Sequence, residues 1–204
     1  MEPPAPYNVR RPMPERTDEE LVALARSGEA YAFAVLVRRY EQPLYSYLRR
    51  LCGNASEAED LFQETFLKVH VNLHQFQEGR PFRPWVYRIA TNVCRDRQRY
   101  RKRRPQVSLE TPIGDGGEGG RLADLVASEA PAPDAQAQAS ETSARLEAAV
   151  AALPVKHRAV FLMARYEGLA YEEIARALRV PVGTVKSRMH KAVQHLLAAM
   201  EDKD

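Results

Sequence analysis

Trp85, Arg88, Asn92, Arg95 and Arg99 recur at spacings of three and four residues within RPFRPWVYRIATNVCRDRQRYRKRR, residues 80–104. At roughly 100° per residue they fall on one stripe of a helix. An aromatic plate, an amide and three guanidinium groups in a row can hold unpaired nucleic acid. Bases stack on the ring at about 1–3 kcal/mol each while the cations track the backbone. With Trp85 as the angular origin, Phe82, Val86, Ile89, Val93 and Tyr100 gather in a sector roughly 60° away, the predicted buried face. A helix dipole is served by one or two cations in the last turn. Residues 95–104 hold seven Arg or Lys against Asp96 alone, beyond that need.

A second constellation lies near the other end, in LAYEEIARALRVPVGTVKSRMHKAVQHLLAAM. A short helix from Tyr171 to Leu178, a turn, and a second helix with Pro181 at its start form a helix-turn-helix pattern. In the second helix Val185, Met189, Ala192, Leu196 and Met200 lie within about 80° of one another and are the predicted buried side. Thr184, Ser187, His190, Lys191 and Gln194 point the other way, with Lys186 and Arg188 on the flanks. Hydroxyls, an imidazole and cations near a helix N-terminus suit the major groove, where donors reach base edges and cations hold phosphates. Ala170 stands where Ser or Thr would cap the first helix, a loss of about 1 kcal/mol.

The elements that must position these residues are all helical, since no period-two strand pattern occurs. Residues 1–16 are proline-rich and read as an unfolded tail. Thr17 and Glu20 form a capping box that opens a helix carrying Leu21, Leu24 and Ala25 and stopping near Gly28. A longer helix from about Glu29 to Leu51 buries Phe33, Leu36, Val37, Tyr40, Leu44, Tyr47, Leu48 and Leu51, ends at Gly53, and holds Pro43, where a bend is expected. Ser56 and Glu59 suggest a second capping box before Leu61, Phe62, Phe66, Val69 and Leu73.

From Pro105 to Glu141 the chain turns to GDGGEGG and APAPDAQAQAS, with seven acids against Arg121 alone, and reads as an acidic linker. Helical pattern resumes with Leu146, Val150 and Leu153, then Ala159, Val160, Leu162 and Met163. The expected architecture is all-α: a helical domain over residues 17–104, a flexible linker over 105–141 and a helix-turn-helix domain over 142–204.

The chain has 204 residues, is 45% hydrophobic and carries a net charge of only +3, so the basic residues matter through clustering. Cys52 and Cys94 have no neighbour at metal spacing, and the histidines are scattered, so no disulfide framework, metal or cofactor is expected. The N-terminus lacks a signal-peptide apolar run and no segment approaches the ~18 apolar residues of a membrane span, which predicts a cytoplasmic protein with no membrane insertion. No acid/base, nucleophile or phosphate-loop constellation points to an enzyme.

Taken together, ASEAEDLFQETFLKVH (residues 55–70), FRPWVYRIATNVCRDRQR (residues 82–99) and LPVKHRAVFLMARYEGLAYEEIARALRVPVGTVKSRMHKA resemble a bacterial sigma factor of the extracytoplasmic-function group. The resemblance spans residues 18–199 apart from the linker. His70, Arg179 and Ala170 depart from residues common in that family. It implies two helical domains, sigma region 2 and sigma region 4, that bind RNA polymerase core and direct initiation at promoter DNA. Glu59, Asp60, Gln63 and Glu64 match the polymerase-docking surface. Trp85, Arg88 and Asn92, with Arg95 and Arg99 beyond, match the surface that opens the −10 element. The loop over residues 73–80 matches the one that accepts a flipped base, where capture offsets unstacking. Thr184, Lys186, Ser187, Arg188, His190 and Lys191 lie on the face implied to meet the −35 element.

The resemblance also implies an anti-sigma factor, often membrane-bound, that would hold the protein at the membrane. A linker of about 36 residues averages roughly 35 Å end to end and reaches about 120 Å, while elements ~25 base pairs apart are about 85 Å distant. A scaffold such as polymerase must therefore set the spacing. Glu110, Asp115, Glu118 and Asp124 of the linker could mimic nucleic acid on that scaffold. The competing reading is a helix-turn-helix regulator that works without polymerase core. It leaves residues 55–99 unexplained.

Overall fold

A computed structural model describes Pro12, residues 15–103 and residues 133–201. Among them every regular element is helical: α1 (Asp18–Arg26), α2 (Ala30–Cys52), α3 (Ala55–Asn72), a 3₁₀ turn (Leu73–Gln75), α4 (Phe82–Arg103), α5 (Pro133–Ala152), α6 (Val155–Arg165), α7 (Tyr171–Leu178) and α8 (Val182–Glu201). Most of the proline-rich tail and the acidic residues Glu110, Asp115, Glu118 and Asp124 lie outside the described residues. Arg16, counted with the tail, is buried, and its carbonyl accepts from Arg39 at 2.9 Å.

The first bundle, α1–α4, forms because each amphipathic helix must bury one stripe. The Thr17–Glu20 capping box opens α1 as the sequence predicts. Helix α2 is one element through Pro43; Leu36, Leu44, Leu48 and Leu51 are fully buried, and it stops at Gly53 with φ 82°. In the left-handed region a glycine carries no Cβ penalty, and its N–H closes the turn on the Arg49 carbonyl at 2.9 Å. Helix α3 departs from expectation. Its cap is Asn54, whose side chain accepts from the Glu57 N–H at 3.0 Å, so the helix begins at Ala55 and Ser56 lies inside it.

The second bundle packs α5, α6, α7 and α8 around Val150, Leu153, Val160, Leu162, Met163, Ile174, Val185 and Leu196. Helix α5 starts at Pro133, inside the stretch read as linker. Proline is at home in the first turn, and the Ala and Gln residues that follow are competent helix formers. On α8 the expected face holds: Val185, Ala192 and Leu196 are buried and Met189 is half-buried.

The bundles are in contact, α2 with α5 and α6, and α4 with α7. Arg158 of α6 is buried and donates to the Leu51 carbonyl at the end of α2 at 2.9 Å, and also to the carbonyls of Leu153, at 2.9 Å, and Ala151 near the end of α5. One guanidinium thus satisfies carbonyls at the C-termini of two helices, the position a dipole favours for a cation.

Candidate nucleic-acid interface

Helix α4 is fixed at its start by α1. Its first N–H, on Phe82, donates to the carboxylate of Glu19 in α1 at 2.9 Å, a cap supplied from far along the chain. Phe82, Val86 and Val93 are buried as expected, and so are Tyr87, Ala90, Thr91 and Cys94. The buried sector is wider than the angular reading gave. Tyr87 is in edge contact with Tyr47 of α2 at 5.1 Å, and its hydroxyl donates to the Glu167 carboxylate of the second bundle. A second covered side needs a second apolar flank. Tyr100 corrects the reading in the other direction: at 58% exposed it is outside the core, although its neighbour Arg101 still reaches Glu57 of α3 at 2.9 Å.

The stripe stands as a line along α4. Trp85 and Arg88 are half-buried, whereas Asn92, Arg95 and Arg99 are exposed. Trp85 is held by Phe76, at 5.3 Å between ring centroids, and by Phe82 at 5.6 Å. Phe76 comes from the loop over residues 73–80, so loop and stripe share one wall. The sequence reading assigned the loop a role without seeing this contact; an aromatic in a polar loop, QFQEGRP, was the available signal.

Opposite this wall stands α7. Together they enclose a cleft of about 430 Å³ that Trp85, Arg88 and Asn92 line from α4, and Arg176 and Arg179 from α7 and its end. Lys68 and Arg80 add to it, and no carboxylate lines it among the described residues. Burial, then the guanidiniums of Arg179 and Arg80, hold Arg88 below the ordinary arginine pKa.

On α3, Glu59, Asp60 and Gln63 are exposed and Glu64 is half-buried, all toward one side. Arg97 of α4 reaches this acidic face, 3.3 Å from Glu64 and 3.8 Å from Asp60, and Lys68 lies 2.9 Å from Glu64. Burial alone would raise the Glu64 carboxyl; the hydrogen bonds from Lys68 and Arg97 outweigh it and hold the group below its usual range. The same face carries Leu67 and Val71, 67% and 66% exposed, which the sequence reading did not single out.

In the helix-turn-helix, Lys186, Ser187, His190 and Lys191 are exposed, and Thr184 and Arg188 are half-buried. Ala170 has no side-chain acceptor, yet half of a capping box survives, because its N–H donates to Glu173 at 2.9 Å. Arg179 ends α7 at φ 53°, the one non-glycine residue with positive φ among the described residues. His157 and His195 stack at 6.2 Å, and no cluster of metal-binding side chains occurs among the described residues. The Cys94 thiol is pushed up to about 12, chiefly by burial. No helix among the described residues is long and apolar enough to cross a membrane.

A bundle with a cationic aromatic stripe, followed by a helix-turn-helix, defines a DNA-engaging protein with two reading heads. Residues 36–104 match the family model Sigma-70 region 2, and residues 143–196 match Sigma-70, region 4. The chain is 34% identical to the ECF RNA polymerase sigma factor SigW of Bacillus subtilis (strain 168), across 87% of this chain and 93% of that one. It is 32% identical to the ECF RNA polymerase sigma factor SigM of Mycobacterium tuberculosis (strain ATCC 25618 / H37Rv), across 87% and 82%. Among solved structures, CnrH in complex with the cytosolic domain of CnrY superposes with a TM-score of 0.65 at 26% identity, covering 92% of this chain and 99% of that one. The chain belongs to the ECF sigma factors of the sigma-70 family.

Proposed function

We propose that this sigma factor lends promoter recognition and strand opening to RNA polymerase core, which supplies the chemistry, and that it acts in the cytoplasm. The acidic side of α3, Glu59, Asp60, Gln63 and Glu64, docks on core. Trp85, Arg88 and Asn92 engage the opened −10 strand, with Arg95 and Arg99 on neighbouring phosphates. Thr184, Lys186, Ser187, Arg188, His190 and Lys191 meet the −35 element. Residues 17–104 and the helices from α5 onward are the two heads, and the intervening chain spans them. An anti-sigma factor is a further partner in this reading; the similar CnrH was solved in complex with the cytosolic domain of CnrY.

The observation that carries this reading is the stripe on α4. A tryptophan held between Phe76 and Phe82 is followed by an amide and cations on one line, beside a loop that can receive an unstacked base. The test is sequencing of transcripts made by purified bacterial core on genomic DNA, with and without this protein. New starts behind a shared pair of upstream elements are expected. A protein that binds DNA but not core, and adds no starts, would refute the reading.

A further inference from the structure

The cleft between α4 and α7 holds more positive charge than the stripe on α4 accounts for. Arg176 and Arg179 line it from α7 and its end, and share about 430 Å³ with Arg88 and Arg80. None of these four guanidiniums has an ion-pair partner among the described residues; of the cations lining the cleft only Lys68 is paired, with Glu64 at 2.9 Å. Like charges gathered without a counter-charge repel one another. Arg88 registers this: burial, then Arg179 and Arg80, hold it below the ordinary arginine pKa. Arg179 carries a second cost, because its φ of 53° lies in the region that only glycine enters freely. A glycine would end α7 equally well. The backbone therefore gives no reason for an arginine at this position, whereas a guanidinium delivered to the cleft does.

The remaining lining groups define the anion that fits. Trp85 and Phe76 supply aromatic surface, and Asn92, Gln75 and Gln77 supply amides that both donate and accept. Guanidiniums take phosphate oxygens in pairs, and a base stacks on an aromatic ring. The volume falls within the ~300–1,000 Å³ of small-molecule sites, a space for one nucleotide. With no carboxylate in the lining to hold a divalent ion, arginine alone neutralises the phosphates. We infer that the cleft is a binding site for a nucleoside polyphosphate, with the base on Trp85 and the phosphates on Arg88, Arg176 and Arg179. Binding there does not depend on the proposed promoter role. Where that role holds, the ligand and the −10 strand compete for Trp85 and Arg88.

The experiment is calorimetric titration of the full chain, without core or DNA and in EDTA, with GTP as the probe, because guanine O6 and N7 accept from a guanidinium. Pyrophosphate and guanosine test its two halves separately. GTP is expected to bind saturably without a divalent ion. Pyrophosphate, which lacks the stacked base, should bind about 5- to 140-fold more weakly, and guanosine more weakly than GTP. Arg176→Gln and Arg179→Gly should each weaken GTP binding at least about tenfold, the loss of a hydrogen bond to a charged group. Arg38→Gln, which removes an exposed charge from α2, should stay within about twofold of the wild type. Arg179→Gly is decisive, because it relieves the positive φ and so separates lost binding from lost folding. Absence of saturable GTP binding would overturn the site, as would wild-type affinity in both α7 variants. Equal affinity for pyrophosphate would reduce it to a plain anion site, and an equal loss in Arg38→Gln would make the attraction unspecific; either result refutes the inference. All of these results leave the sigma reading standing, since neither core nor DNA is present, and a failure of promoter-specific transcription would leave the binding result intact.

Discussion

Replacing Trp85 by alanine separates strand opening from polymerase binding. The indole is half-buried against Phe76 and Phe82, and Glu59, Asp60, Gln63 and Glu64 do not line its cleft. If an unstacked base rests on this ring, truncation removes a stacking contact of about 1–3 kcal/mol. At 1.4 kcal/mol per decade that is roughly a 5- to 140-fold loss in open complex. The substitution also removes two aromatic contacts of about 0.5–1.5 kcal/mol each, which lowers the stability of the first bundle. Trp85→Phe is therefore the companion variant, since it keeps an aromatic face. Permanganate reactivity of unpaired thymines measures opening, and titration of labelled core measures binding. Trp85→Ala is expected to lose opening by the stated factor with core affinity within about twofold, and Trp85→Phe to recover most of it. Equal losses in both assays, in a protein that remains folded at the assay temperature, would refute the stacking role.

Three further perturbations follow from single contacts. Arg179→Gly relieves a left-handed residue worth about 1–2 kcal/mol against an unfolded-chain entropy cost of about 0.4–1 kcal/mol. A net gain near 0.5–1 kcal/mol should raise the melting temperature by a few degrees in circular dichroism. Arg97→Ala frees Asp60 and Glu64 from an exposed pairing of about 0.2–1 kcal/mol, so affinity for core should rise by about 1.4- to 5-fold; weaker binding would mean that Arg97 itself touches core. Burial holds the Glu167 carboxyl above its ordinary value, against the opposing pull of Tyr87, Arg83 and Arg50. A carboxyl raised on folding contributes stability that is full below its unfolded pKa and lost as pH rises through the folded one. The melting temperature of the wild type should therefore fall relative to Glu167→Gln from about pH 4.3 upward, and parallel pH profiles would contradict this.

Helix existence and facing were legible because each helix repeats its apolar residues at the period of one buried stripe. Leu36, Leu44 and Leu48 of α2, and Val185, Ala192 and Leu196 of α8, are buried where the spacing puts them. The stripe on α4 was legible for the same reason. Tyr87 was not, because a helix covered on two sides needs an apolar sector that no single-face angular reading contains. Asn54 and Ser56 are both sound caps, and only the path of the chain after Gly53 decides between them. Glu167 was the least legible of all. A glutamate in YEGLAY looks like a solvated loop residue, and its burial depends on a tyrosine 80 positions earlier.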